Sequence, residues 1–94
     1  MREIVAPNLH DFTLVRVVVD WEAKAALFEL LGPDGLRTLT ATGLLQFELT
    51  RDDPWGPSAS VNGVEVAKEG EELLRVTIEM QTGDLIKLRC ANVN

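Results

Sequence analysis

Apolar and polar side chains alternate along much of this chain, and this period-2 pattern predicts β-strands with one buried face. The first such segment runs from Phe12 to Trp21 and is rich in β-branched residues. Its consecutive valines, Val17, Val18 and Val19, predict a strand that is covered on both faces at its middle. The alternation divides the segment into one face with Val15, Val17, Val19 and Trp21 and another with Phe12, Leu14, Arg16, Val18 and Asp20.

Residues 22–31 carry two competing signals. Their composition favours a helix, which Asp20 could cap and Gly32-Pro33 could end. Gly32-Pro33-Asp34-Gly35 is also a strong turn signal between two apolar segments. In a chain full of strand patterns, we favour a hairpin that joins residues 24–31 to residues 36–42. A short helix near residues 22–31 is the alternative.

The later segments alternate more regularly. From Gly43 to Thr50, the pattern predicts Leu45, Phe47 and Leu49 inward, with Gln46, Glu48 and Thr50 outward. Valines flank Asn62-Gly63, which predicts a tight turn or a kink there. Residues 68–72 form a solvated turn. Two further strands are predicted after this turn. The residues predicted to point inward are Leu74, Val76, Ile78 and Met80 in the first strand, and Ile86, Leu88 and Cys90 in the second.

The hairpin around Thr82-Gly83-Asp84 can be placed in register, because a slip of one residue turns every side chain to the other face. Pairing Ile78 with Leu88 also sets Glu79 against Lys87, a favourable pair worth on the order of 0.2–1 kcal/mol. Pairing Ile78 with Ile86 places Gly83 better for a bulged turn. That second register sets Arg75 against Arg89, so we favour the first.

Short strands separated by turn signals predict an all-β fold, an antiparallel β-sandwich or a partly open barrel of about seven strands. The chain has 94 residues, which predicts a single domain over residues 1–94. No apolar run is long enough to span a bilayer, and no signal peptide is visible at the N-terminus. We therefore expect a cytoplasmic protein without a membrane partner.

Charge and cysteine content narrow the classes of partner. The net charge is −6, with fifteen acidic and nine basic residues. This balance, with no cluster of Lys and Arg in the sequence, argues against nucleic acid as a partner, and it is compatible with a basic protein partner. It also keeps a small domain soluble, whatever its function. Cys90 is the sole cysteine, so the chain forms no internal disulfide.

Residues with catalytic or ligand chemistry are few. His10 lies beside Asp11, but no nucleophile follows at a meaningful spacing, which favours a surface or capping role. Cys90 falls on an inward face, where a thiol is usually inert. The spacing of carboxylates, including Asp52 and Asp53, matches no metal-binding pattern. We therefore predict no enzymatic activity, no metal and no cofactor.

The segment Arg51-Asp52-Asp53-Pro54-Trp55-Gly56-Pro57-Ser58 is the most distinctive part of the chain. Its prolines exclude it from the middle of a sheet and predict a rigid loop. Trp55, like Trp21, could close one end of the core. Alternatively, Trp55 could be an aromatic contact on an interface, since binding hot spots favour tryptophan. The second interpretation predicts a partner-binding site made of Asp52, Asp53, Trp55, Ser58 and Glu48.

Several segments together resemble a group of small, mostly uncharacterised bacterial β proteins. The resemblance rests on Pro54-Trp55-Gly56-Pro57-Ser58 and Ile78-Glu79-Met80-Gln81-Thr82-Gly83-Asp84, with support from residues 47–51, Val61-Asn62 and Trp21-Glu22. Some similar small acidic domains are thought to be immunity proteins of bacterial toxin systems. The resemblance would imply a stoichiometric inhibitor that binds a basic toxin domain. The alternative is a self-assembling β module, such as a homodimer, that has no foreign partner.

Overall fold

The structure, a computed structural model, describes residues 7–94, which form eight β-strands and no helix. None of these residues therefore belongs to a helix that could cross a membrane. The all-β prediction is confirmed, and a two-residue strand is added to the expected set. The strands are β1 (Thr13–Asp20), β2 (Ala25–Gly32), β3 (Gly35–Thr42), β4 (Gln46–Leu49), β5 (Val61–Lys68), β6 (Leu74–Met80), β7 (Leu85–Cys90) and β8 (Asn92–Val93).

The strands form two antiparallel sheets with one core between them. The first sheet has the order β1-β2-β3-β8, and the second has the order β4-β7-β6-β5. Alternate side chains of both sheets point inward, so that Phe28, Ile78 and Leu88 are fully buried in the same cluster. Leu9, which precedes β1, is also buried there, although the strand pattern does not reach it.

Two adjacent backbone segments carry the chain from one sheet to the other. Gly43 lies between β3 and β4, and Ala91 lies between β7 and β8. The Ala91 N–H donates to the Thr42 carbonyl at 3.0 Å, and the Leu45 N–H donates to the Arg89 carbonyl at 2.8 Å. Backbone hydrogen bonding is therefore continuous around this corner.

The sheets also meet at the start of β1. The Leu14 N–H donates to the Ala59 carbonyl at 2.8 Å, and Thr13 forms a bridge with Ser60. Past Leu14, no strand among the described residues pairs with the outer edge of β1. The architecture is that of a partly open barrel, closed at the corner and at the beginning of β1.

The hairpin prediction for residues 24–42 is confirmed, and the helical alternative is wrong. β2 and β3 pair continuously from Ala25 opposite Thr42 to Gly32 opposite Gly35. The helical propensity of residues 22–31 loses because Ala26, Phe28 and Leu30 bury one face of an alternating strand. The predicted irregularity at Asn62-Gly63 is a kink rather than a turn, since pairing with β6 shifts between Val61 and Gly63 within β5.

The prediction that the middle of β1 is covered on both faces is wrong. Val18 is 42% exposed and Val19 is 46% exposed. Val17 is half-buried and lies opposite Phe28 of β2. The reason is that Val18 lies on the outer face of the sheet, opposite Leu27, whereas Val19 lies on the inner face of an edge strand that has a neighbouring strand on one side only.

The predicted inward positions around β4 are only partly correct. Phe47 packs against the core, and its ring centroid lies 6.3 Å from that of Phe28. Leu45 is 66% exposed and Leu49 is 46% exposed, so both are corrections to the predicted pattern. β4 is short and pairs with β7 alone, which leaves the residues at its ends uncovered.

The favoured register of the last hairpin is also wrong, and the second of the two registers considered is the one observed. Ile78 lies opposite Ile86, and Arg75 lies opposite Arg89. The like charges are tolerated because Glu69, from the β5–β6 loop, accepts hydrogen bonds from the Nε of Arg75 at 2.9 Å and the Nε of Arg89 at 3.1 Å. The hydrogen bond from Arg75, with the charges of both arginines, lowers the pKa of Glu69.

This arrangement predicts a salt-dependent effect of Glu69→Gln. The variant leaves the cross-strand pair Arg75–Arg89 without its shared carboxylate, and directly opposed like charges destabilise a sheet. We expect a fall in Tm of a few degrees at low ionic strength, which shrinks in about 0.5 M salt as the repulsion is screened. Thermal unfolding followed by circular dichroism at both salt concentrations tests this, with the exposed Glu71→Gln as the control. An equal effect of the two variants at low salt would contradict it.

Candidate functional site

The carboxylate of Asp84, in the turn between β6 and β7, organises the neighbouring loop. The Asp84 side chain is buried. Its Oδ1 accepts hydrogen bonds from the Asp52 N–H at 2.8 Å and the Thr50 hydroxyl at 3.2 Å. Its Oδ2 accepts from the Asp53 N–H at 3.1 Å and the Thr82 hydroxyl at 2.6 Å. Both carboxylate oxygens are therefore fully used in joining the loop to the turn.

These hydrogen bonds favour the charged form of Asp84. The Thr82 hydroxyl makes the largest contribution to lowering the pKa of this carboxyl, and the Asp52 N–H and Thr50 hydroxyl add to it. The Arg51 guanidinium, 3.9 Å from Oδ2, lowers the pKa further, while burial opposes the shift. Asp84 is thus a carboxylate whose negative charge is satisfied by backbone and side-chain donors.

The Trp55 loop, defined as residues 51–58, is fixed at a second point next to the tryptophan. The backbone N–H of Trp55 donates to the Thr82 carbonyl at 2.9 Å, and the backbone N–H of Gly56 donates to the Asp53 carbonyl at 3.0 Å. Pro54 and Pro57 restrict the backbone further. The prediction of a rigid loop thus has a specific structural basis, which is attachment to the β6–β7 turn.

The indole of Trp55 lies over Gly83 and faces solvent. A Cβ built on Gly83 would be 2.9 Å from the Cδ2 and Cε3 atoms of Trp55, and 3.1 Å from the Cγ of Pro54. The Trp55 side chain is nevertheless 74% exposed, and Trp21 is 93% exposed. Neither tryptophan closes an end of the core, so that interpretation is wrong. Trp55 therefore presents a large aromatic surface to solvent, while the backbone that carries it is held in place by hydrogen bonds.

A shallow groove of about 290 Å³ lies beside the Trp55 loop, and we call it the acidic groove. Glu48 and Asp52 both line it, together with Pro54 and the buried Asp84. Lys87, opposite Glu48 on the neighbouring strand, is the cation at its wall. The side chains of Glu48 and Asp52 are exposed, which leaves their charges available to a partner.

The structure places the other two predicted site residues differently. Asp53 is half-buried, and its carboxylate pairs with Arg51 within the loop. Ser58 is also half-buried, and its hydroxyl accepts a hydrogen bond from the Ser60 N–H at 3.1 Å. Glu48, Asp52 and Trp55 therefore form the outward part of the site, while Asp53 and Ser58 shape the loop.

Sequence reasoning missed the role of Asp84 and Gly83 in this site. The motif Thr82-Gly83-Asp84 has the composition of an ordinary turn, and its contacts with the Trp55 loop join residues about thirty positions apart. The sequence signal was limited to a short turn motif between two regular strand patterns. It gave no information about which loop would supply the donors.

The remaining reactive residues lie elsewhere and have structural partners. His10 Nδ1 donates to the Asn62 carbonyl at 2.8 Å, which ties the segment before β1 to β5. Cys90 is buried, and burial raises the pKa of its thiol. Within residues 7–94, no three histidine, cysteine or carboxylate side chains converge as a metal site would require.

Comparison with known proteins provides a structural likeness. No family model matches the chain, and no curated protein sequence matches it. A crystal structure of an uncharacterized protein from Neisseria gonorrhoeae is similar, with a TM-score of 0.71 and 16% sequence identity. The match covers 97% of this chain and 96% of that protein. At this identity the likeness shows a shared fold over almost the whole of both chains.

Proposed function

We propose that this chain is a cytoplasmic, non-enzymatic protein-binding domain whose partner contacts the Trp55 loop. The observation that carries the proposal is the exposure of Trp55 on a loop that is fixed by Asp84 and Thr82. An exposed tryptophan offers a large apolar area to a partner. Because its backbone is already ordered, binding loses little conformational entropy.

The charges beside Trp55 support a basic partner. Glu48 and Asp52 are exposed along the acidic groove, and the whole chain carries a net charge of −6. Complementary charge of this kind speeds association and selects against acidic competitors. In its sharpest form the proposal is an immunity-type function, in which the domain inhibits a basic bacterial toxin domain by stoichiometric binding. The resemblance of the Pro54–Ser58 and 78–84 motifs to small bacterial β proteins supports this form.

Trp55→Ala should weaken partner binding without unfolding the domain. The partner would be isolated by affinity capture on the tagged chain from a lysate of the source organism and identified by mass spectrometry. We expect the dissociation constant of the purified complex to rise roughly 10- to 30-fold in Trp55→Ala. The Tm should remain close to that of the unmodified chain, since the indole is exposed.

Trp21→Ala is the matched control, because it removes an even more exposed tryptophan from the β1–β2 turn. This variant should bind the partner normally. An Asp52→Asn/Glu48→Gln variant keeps the Asp52 N–H bond to Asp84 and removes two exposed charges. It should slow association at low salt and have less effect at high salt. A partner that binds Trp55→Ala as tightly as the unmodified chain would exclude the proposed site.

A further inference from the structure

The outer edge of β1 is open along most of its length. The segment before β5 engages β1 only at its start, where Thr13 lies opposite Ser60 and the Leu14 N–H donates to the Ala59 carbonyl. From Arg16 to Asp20, the strand pairs with β2 on one side and with no other strand that the structure describes. An open edge of this kind presents unpaired backbone N–H and C=O groups to another strand.

An apolar groove of about 440 Å³ continues from this edge, and we call it the Trp21 groove. Its walls include Val19 at the end of β1 and Trp21 in the turn that follows, with Leu44 and Leu45 from the β3–β4 connection and Phe47 from β4 of the other sheet. Trp21 and Leu45 are 93% and 66% exposed. The open edge and the groove form one continuous surface that lacks a partner strand in the described chain.

We propose that this surface binds β1 of a second copy of the chain, as an antiparallel pair with a two-fold axis at Val18. The sequence of β1 is self-complementary about that residue. Arg16 of each copy lies opposite Asp20 of the other, and Val17 of each lies opposite Val19 of the other. Opposite charges and β-branched residues are both favourable cross-strand pairs.

The neighbouring registers lack this complementarity. An axis at Val17 would set Arg16 opposite Val18, and an axis at Val19 would set Asp20 opposite Val18. Each of these registers places a charge against an apolar side chain. The isologous interface of a two-fold dimer therefore has one favoured centre on this strand.

The faces of the two strands also match in the proposed dimer. Val17 and Val19 point toward the interior side of the sheet, since they lie opposite the buried Phe28 and Ala26 of β2. Val17 of the second copy would then lie beside Val19, at the Trp21 groove. On the outer face, Arg16 already bonds to Glu29 at 2.6 Å, so Asp20 of the second copy would extend this ion pair.

The dimer should be weak, because a short strand pair buries little area and chains with net charge −6 repel each other. We expect a dissociation constant in the roughly micromolar range or weaker. A covalent test is therefore the most direct. Val18→Cys places two thiols opposite each other on the axis, at a spacing that a disulfide can bridge.

Under mild oxidation, Val18→Cys should form a disulfide-linked dimer at least about tenfold faster than Leu36→Cys, because pairing raises the effective thiol concentration. Leu36 on β3 is the control, since it is 65% exposed and lies away from β1. The native Cys90 is buried and should not react in either variant. Equal crosslinking rates for the two variants would overturn the proposal.

Sedimentation of the unmodified chain and of Val18→Lys completes the test. The unmodified chain should show a mass that rises with concentration, whereas two lysines on the axis should abolish this rise. Leu36→Lys should behave as the unmodified chain does. Trp55→Ala should also dimerise normally, which separates this proposal from the partner site on the Trp55 loop. A monomer mass up to about 1 mM, or a dimer that Val18→Lys leaves intact, would overturn the proposal.

Discussion

Gly43→Ala should lower the free energy of unfolding by about 2–4 kcal/mol. Gly43 has a φ of 64°, a conformation that costs about 1 kcal/mol or more for a residue with a Cβ. The new Cβ would also lie 2.6 Å from the Cβ of Ala91, at the corner where the chain crosses between sheets. The backbone hydrogen bonds of Thr42 and Leu45 limit any relaxation there. Urea unfolding followed by circular dichroism measures the loss.

The double variant Gly43→Ala/Ala91→Gly separates the two causes of this loss. Removing the Ala91 methyl group relieves the close contact but leaves the strained φ of residue 43. We therefore expect the double variant to be more stable than the sum of the two single changes, with a coupling of about 1–2 kcal/mol. Additive effects would show that the corner relaxes around a methyl group.

The central strands of the fold are predictable from the sequence because their environment is regular. β6 and β7 each have neighbours on both sides, and their inward residues follow the alternating pattern closely. Ile78 and Leu88 are buried where the pattern places them. For such strands, the period of hydrophobicity alone identifies the buried face.

The edge strands are less predictable because coverage depends on strand order, which is not a local property. Three consecutive valines in β1 have the composition of a central strand, yet Val18 and Val19 are exposed at an edge. The prediction that Leu45 and Leu49 point inward around β4 is wrong because these residues also lie beside an edge. Nothing near these residues in the sequence determines whether a strand lies beside them.

Register and site geometry were missed because single long-range contacts determine them. Glu69 makes the Arg75–Arg89 pair acceptable, although it lies in the β5–β6 loop and outside the hairpin itself. In the candidate site, the prolines of the Trp55 loop predict its rigidity, whereas the sequence leaves open whether Trp55 is buried or exposed. Its attachment to Asp84 depends on backbone donors, which no side-chain pattern reveals.

Asp84→Ala should lower Tm by about 10 °C and loosen the Trp55 loop. The change removes both acceptors of the Asp52 and Asp53 N–H groups and leaves these donors without their partner. Time-resolved fluorescence anisotropy, in a Trp21→Phe background that leaves Trp55 as the sole tryptophan, should show faster indole motion. Partner binding should weaken, because the backbone of the Trp55 loop would no longer be ordered before binding.

Asp34→Ala is the matched control for this variant, since it removes an exposed aspartate from the β2–β3 turn with the same change in net charge. It should leave Tm within a few degrees of the unmodified chain and the anisotropy decay unchanged. Similar losses of stability in the two variants would mean that net charge matters more than the hydrogen bonds of Asp84.

Asp84 should also contribute a defined part of the acid sensitivity of the fold. Its pKa is lowered in the folded state, so its stabilising effect is complete above the unfolded value of about 4 and is lost as the pH falls through the lowered folded pKa. Glu69 has a lowered pKa as well, so the pH dependence of the unfolding free energy of the unmodified chain includes both groups.

The difference in unfolding free energy between the unmodified chain and Asp84→Asn isolates the contribution of Asp84. We expect this difference to be constant above about pH 5 and to shrink below about pH 4, where protonation makes the native side chain resemble the amide. A difference at pH 3 as large as that at pH 7 would show that the Asp84 hydrogen bonds do not depend on its charge.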